Sequence, residues 1–157
     1  MKKKRQTFVK ALTSWILLAI IVISVSAYFV LNESWIGPIF ILMGFVSLLF
    51  LKFFKIPIVS VYPDMVFGAI DNGILIFAAV IGGVYAGVAG AIIGGAAGNT
   101  LTDGLGGLFE GHVAQNQRKY KIDNLRTPLS TMLGKVSGCL FGAGVGLILV
   151  WVIRLVI

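Results

Sequence analysis

The stretch VFGAIDNGILIFAAVIGGVYAGVAGAIIGGAAG, Val66 to Gly98, decides the fold of this chain. It is almost entirely apolar and over thirty residues long. As one helix it would reach roughly 50 Å, whereas the hydrocarbon core of a bilayer is about 30 Å thick. We therefore predict two antiparallel spans, from about Phe67 to Tyr85 and from about Ala91 to Val113, joined by a tight turn at Gly87–Gly90. The alternative is one tilted helix followed by a re-entrant segment.

The composition predicts that lipid is the solvent of the whole chain. Hydrophobic residues make up 58% of the sequence and charged residues only 12%, about half the charge of a soluble domain. The apolar blocks are hydrophobic all round, unlike the amphipathic helices of soluble proteins. The net charge of +7 resides in three short clusters between these blocks, which is the pattern of cytoplasmic loops and not of a nucleic-acid surface.

Three further apolar blocks complete a predicted single-domain, all-α bundle of about five transmembrane helices. They cover residues 15–31, 35–54 and 132–153. Residues 56–63 contain two prolines and are expected to form a surface loop. We expect a multi-pass protein of the cell membrane, with the N-terminus and the basic loops on the cytoplasmic side. Val25-Ser26-Ala27 resembles a signal-peptide cleavage site, but the apolar run continues to Leu31, which favours a retained helix.

Glycines recur at four-residue intervals in the fourth and fifth predicted spans. Residues four apart share a helix face, and a glycine face lets two helices approach closely in lipid. We predict a glycine zipper that packs these two spans against each other, forms a homodimer interface, or does both. The residues are Gly83, Gly87, Gly90, Gly94, Gly98, Gly134, Gly138, Gly142 and Gly146.

Carboxylates inside predicted spans form the candidate functional site. Asp71, Asp103 and Glu110 fall within spans and Asp64 lies at a boundary. An acidic group at membrane depth is costly and usually faces protein or water. Asn99, Asp103 and Glu110 share one helix face, and the antiparallel spans bring Asp71 to a similar depth. We predict an ion-binding site from these five residues, with Asp71, Asp103 and Glu110 as ligands of a hard divalent cation or as carriers of protons.

Structural roles for the same residues stay open. The sequence Asn-Thr-Leu-Thr-Asp, residues 99–103, is a plausible capping sequence at a kink. Glu110 could lie at headgroup level, and Asp71 could pair with Lys135. Met65 could add a sulfur ligand at the entrance, whereas His112 is expected to be interfacial.

The stretch from Pro63 to Gly73, PDMVFGAIDNG, resembles the first helix of the vacuolar iron transporter family. Asp103, Gly106, Glu110 and Gly111 are similar in kind to residues of that family's next helix. The resemblance implies a five-helix dimer that exchanges Fe²⁺ or Mn²⁺ for protons. In this chain two spans precede the helix pair, and the loop from Asn116 to Thr127 is short and basic.

These patterns favour a small cation transporter or channel; the alternative is a non-catalytic assembly or scaffold protein packed through glycine faces. We expect no enzymatic activity, because the sequence has no serine–histidine pair, metal-binding histidine cluster or phosphate loop. We expect no cofactor, with a divalent cation as the candidate substrate. The expected partners are the lipid bilayer and a second copy in a homodimer, and no nucleic acid.

Overall fold

The structure is a computed structural model that describes residues 2–32, 35–119 and 126–156. Four helices account for nearly all of these residues. They are α1 (Lys2–Leu31), α2 (Ile36–Phe53), α3 (Ile58–Lys119) and α4 (Pro128–Val156). By length and composition, all four are apolar enough to cross a membrane. The predicted all-α fold is therefore confirmed, and the long apolar helices are consistent with a membrane protein. The helices extend beyond the predicted spans at most of their ends.

The third helix reverses direction at Ala86 and Gly87. Ala86 has φ −140° and ψ 25°, and Gly87 has φ 58° and ψ −141°, so neither is helical. The residues before the reversal contact those after it in opposite order along the chain: Gly82 meets Gly90, and Phe67 meets Gly106. We call residues 58–85 the first arm and residues 88–119 the second arm. Gly90, which the sequence placed in the turn, lies inside the second arm.

Helix α4 is the centre of the bundle and packs against α1, α2 and α3. Its glycines lie on the first arm in parallel order: Gly134 on Val61, Gly138 on Met65, and Gly142 on Ala69. A Cβ atom on Gly138 would lie 2.8 Å from the Met65 Cα atom, closer than real Cβ atoms come to other heavy atoms. The absence of side chains at these positions is what allows the two backbones to touch.

Helix α2 packs on another face of α4 in antiparallel order. Gly37 lies against Ile148, and the Ser137 hydroxyl is 2.8 Å from the Ser47 hydroxyl. Both serines are fully buried. Trp35 and Trp151 contact each other at the far end in a tilted arrangement, with ring centroids 3.9 Å apart. These small and aromatic contacts fix the register between α2 and α4.

The beginnings of α3 and α4 and the end of α2 meet at one end of the bundle. Leu51, Val61 and Leu133 form a buried cluster there, and Leu18 of α1 packs against it. Helix α2 ends in a Schellman motif, in which the amide of Ile56 donates to the Leu51 carbonyl.

The prediction of a surface loop at residues 56–63 is wrong for Ile58–Pro63, because these residues form the beginning of α3. Pro57 precedes the helix and accepts the Ser60 amide and hydroxyl, at 3.0 and 2.8 Å. Pro63 lies in the second turn of the helix and therefore costs one backbone hydrogen bond without ending the helix. Two prolines near a helix start therefore gave a false loop signal.

Candidate functional site

A buried ion pair closes one end of the hairpin formed by the two arms. Nη2 of Arg126 donates to both carboxylate oxygens of Asp64, at 2.7 and 2.9 Å. Asp64 is 3% exposed, while the Arg126 side chain keeps 26% of its surface. A charge buried to this extent requires such a partner. The pair therefore ties the segment that precedes α4 to the first arm.

The position of Arg126 is set by the start of α4. The amide of Ser130 donates to the Thr127 hydroxyl oxygen at 3.1 Å, and the amide of Thr127 donates to the Ser130 hydroxyl oxygen at 2.8 Å. This reciprocal arrangement is a capping box, which satisfies backbone donors of the first turn. Because the cap fixes Thr127, the preceding residue is held over the first arm.

Asp71 is the second acidic residue of the first arm, two helical turns beyond Asp64. Its Oδ1 accepts a hydrogen bond from the hydroxyl of Thr102, on the second arm. Thr102 is 1% exposed, so this bond lies inside the hairpin. The neighbouring Asn72 donates to the Cys139 carbonyl of α4 at 3.2 Å. The Asp71 region thus links three helical segments.

Asp103 lies on a different face of the second arm. It is exposed, and its Oδ2 accepts a 2.9 Å hydrogen bond from the Asn99 amide one turn earlier. The residue that meets Asp71 across the hairpin is therefore Thr102 and not Asp103. Glu110 is in helical backbone, but its side chain lies outside the described residues.

A three-residue acidic metal site does not appear in the part of the chain that the structure describes. No three His, Cys, Asp or Glu residues lie close enough there to hold one ion. The predicted convergence of Asp71 with Asp103 is not seen. Thr102 faces Asp71, and the next residue, Asp103, points in a different direction because consecutive helix positions lie on different faces. What the fold does bring together is Asp64 with Arg126 and Asp71 with Thr102.

The other side chains considered from sequence have local partners. Met65 packs against the Leu51–Val61–Leu133 cluster. The Lys135 ammonium lies 5.1 Å from the centroid of the Phe67 ring. His112 Nε2 is 3.2 Å from the side-chain nitrogen of Asn116, on the same helix. The alternative in which residues 99–103 cap or break a helix is wrong, because the second arm is helical through them.

A cavity of about 320 Å³ is lined by both arms and lies between the ion pair and Thr102. Its lining is mainly apolar. The residues that bear on its chemistry are Asp64, Phe67, Thr102, Gly106, Phe109 and Arg126. Phe67 rests on Gly106, so the missing side chain at Gly106 admits an aromatic ring beside the cavity.

Sequence reasoning missed two features of this site. It did not pair Arg126 with Asp64, which are 62 positions apart. It did not select Thr102, although Gly98, Thr102 and Gly106 follow one another at four-residue spacing and mark the face toward the first arm. Comparisons with protein families, with curated proteins and with solved structures found no match for this chain.

Proposed function

We propose that this chain crosses the membrane five times, with its basic residues on the cytoplasmic side. The apolar part of α3, Ile58–Phe109, has 52 residues and would be about 78 Å long if straight. That is more than twice the thickness of a bilayer core, and the reversal at Ala86–Gly87 divides it into two arms of membrane length. Lys52, Lys55 and Arg126 then lie at the same end of the bundle.

We propose that the protein is a small transporter or channel for a cation or for protons, with the hairpin of α3 as the pathway. The observation that carries this proposal is the Asp71–Thr102 hydrogen bond inside the hairpin, next to the cavity that Asp64, Thr102 and Arg126 line. An acidic group kept at membrane depth is costly and marks ion or proton paths. Carboxylate and hydroxyl oxygens suit hard cations.

The Asp64–Arg126 pair would act as the gate of this pathway. While Nη2 of Arg126 donates to both oxygens of Asp64, the charge of that carboxylate is compensated at the end of the cavity that both residues line. A cation that approaches Asp64 would compete with the guanidinium for the same oxygens. The resemblance of residues 63–73 to the vacuolar iron transporters makes Fe²⁺ and Mn²⁺ the first substrates to test.

Flux into proteoliposomes tests the proposal. We would compare the wild type with Asp71→Asn, Asp103→Asn and Glu110→Gln, for divalent cations and protons in turn. Asparagine at position 71 can still accept the Thr102 hydroxyl, so the fold is expected to persist while the charge is lost. Asp123→Asn, in the predicted cytoplasmic loop, is the matched control. Flux that survives Asp71→Asn would remove Asp71 from the pathway.

The second candidate function is a non-catalytic scaffold. The observation that favours it is the extent of close helix contact, in which α4 touches α2 and the first arm through glycines at Gly37, Gly138 and Gly142. Such packing gives a rigid body without any transported substrate. Absence of flux for every cation in well-folded wild-type protein would favour this function.

A further inference from the structure

The cavity between the two arms of α3 is a groove that opens sideways toward lipid. Its walls are two rows of side chains, one on each arm, and each row has the four-residue spacing of a single helix face. The rows are Tyr62, Val66 and Ile70 on the first arm, and Leu105, Phe109 and Val113 on the second arm. All six residues are exposed or half-exposed, so lipid can reach the groove from the side.

The groove crosses one boundary of the hydrocarbon core. Along the first arm, Ile70 precedes the reversal at Ala86 by about 24 Å of helix, and Asp64 precedes it by about 33 Å. The core is about 30 Å thick, so with the reversal at the opposite surface the groove starts among acyl chains and ends at the level of the headgroups. A phospholipid in the bilayer spans the same two regions.

The part of the groove within the core is suited to a hydrocarbon chain. Its lining there is aliphatic and aromatic, and Phe67 lies in it against the buried Gly106. The Thr102 hydroxyl at this level already donates to Asp71. Ordered water needs several polar partners, which such a lining does not provide. An acyl chain from the bilayer needs none.

The headgroup end of the groove presents positive charge. Asp64 is buried and holds the guanidinium of Arg126 through Nη2, whereas the Arg126 side chain keeps a quarter of its surface. A ligand that approaches from lipid therefore meets the guanidinium and not the carboxylate. Lys52 and Lys55 are exposed at the same end of the bundle. The planar guanidinium matches the geometry of a phosphate group.

We propose that the groove binds an anionic phospholipid of the surrounding bilayer, with one acyl chain between the two arms and the phosphate at Arg126. A headgroup with net negative charge is favoured over a zwitterionic one, because a headgroup ammonium would lie near Arg126, Lys52 and Lys55. Basic pockets between transmembrane helices bind anionic headgroups for this reason. In a transporter, the bound chain would occupy the cavity beside Asp71 and so regulate passage. Binding itself does not depend on transport, and its test involves no flux.

Two neighbouring positions on the second arm provide a matched test. Phe109 lines the groove and is 60% exposed, whereas Leu108 is 74% exposed and is not part of the lining. A single tryptophan is placed at either position in a chain that carries Trp15→Phe, Trp35→Phe and Trp151→Phe. In vesicles of phosphatidylcholine and phosphatidylglycerol with one of the two lipids brominated, quenching shows which lipid lies beside the tryptophan. We expect Phe109→Trp to prefer phosphatidylglycerol roughly fivefold and Leu108→Trp to show little preference.

Two changes to the groove separate the site from the general charge of the surface. Asp64→Asn with Arg126→Gln leaves a neutral pair and should lower the preference at position 109 to that at position 108. Val66→Phe keeps the ion pair but narrows the groove, and should have the same effect. Val84→Phe, on the same arm but outside the groove lining, should leave the preference unchanged. The proposal is overturned if both tryptophans report the same preference, or if the preference at position 109 survives the loss of the ion pair or the narrowing of the groove in a variant that circular dichroism shows to be folded.

Discussion

Replacement of Gly138 by alanine should separate α4 from the first arm of α3. The added Cβ would lie 2.8 Å from both the Cα and the carbonyl carbon of Met65, and closer still to the carbonyl oxygen. All three atoms are backbone, so no side-chain rotation can relieve the overlap. The next contact between α4 and the first arm, Gly142 on Ala69, is equally close and would be strained at the same time.

Two opposing terms set the expected magnitude. Alanine is favoured over glycine inside a helix by about 1 kcal/mol. Overpacking of a closely packed contact costs about 1–3 kcal/mol, and separation of the backbones also weakens Cα–H···O contacts worth about 0.5–1 kcal/mol each. The net loss for Gly138→Ala is therefore about 1–2 kcal/mol. In contrast, Gly104→Ala should stabilise by up to about 1 kcal/mol, because no atom outside the adjoining turns of its own helix lies within 4 Å of its added Cβ.

The assay is reversible unfolding of both variants and the wild type in mixed micelles with increasing denaturing detergent, followed by circular dichroism. The free energies of unfolding of Gly138→Ala and Gly104→Ala should differ by roughly 2–3 kcal/mol. Both variants contain the same glycine-to-alanine change, so the intrinsic helix preference of alanine drops out of this comparison. Equal stability of the two variants would refute the close approach of α4 to the first arm.

Two other substitutions test the hairpin by the same unfolding assay. Arg126→Gln removes the guanidinium that donates to both Asp64 oxygens and should destabilise the protein by about 1.5–3 kcal/mol. Asp64→Asn in the same chain should recover part of this loss, and a loss unchanged in the double variant would contradict the pairing. Gly87→Ala should cost about 1–3 kcal/mol because φ 58° with ψ −141° is a region essentially restricted to glycine, while the space around its Cβ is open. A Gly87→Ala variant as stable as Gly104→Ala would mean that the chain reverses elsewhere.

The sequence predicted a lipid environment for this protein and a reversal of chain direction within residues 66–98. Both follow from local quantities, namely hydropathy and the length of an apolar run against the thickness of a bilayer. The sequence placed the turn slightly late, at Gly87–Gly90, because several glycines there permit a positive φ and only Gly87 adopts it. It also read the prolines at 57 and 63 as a loop, although a helix tolerates proline near its start at modest cost.

The identity of the side chains that meet was decided by the tertiary structure alone. Glycines occur on more than one face of the second arm, so a periodic pattern does not define its rotation about its own axis. That rotation brings Thr102 to Asp71 and leaves Asp103 exposed on another face, although Thr102 and Asp103 are adjacent in the chain. The pairing of Asp64 with Arg126 likewise depends on α4 running parallel to the first arm. Composition and length determine how many helices of the chain can cross a membrane. The rotation and order of those helices determine which polar groups share a site, and both arise from packing over many residues.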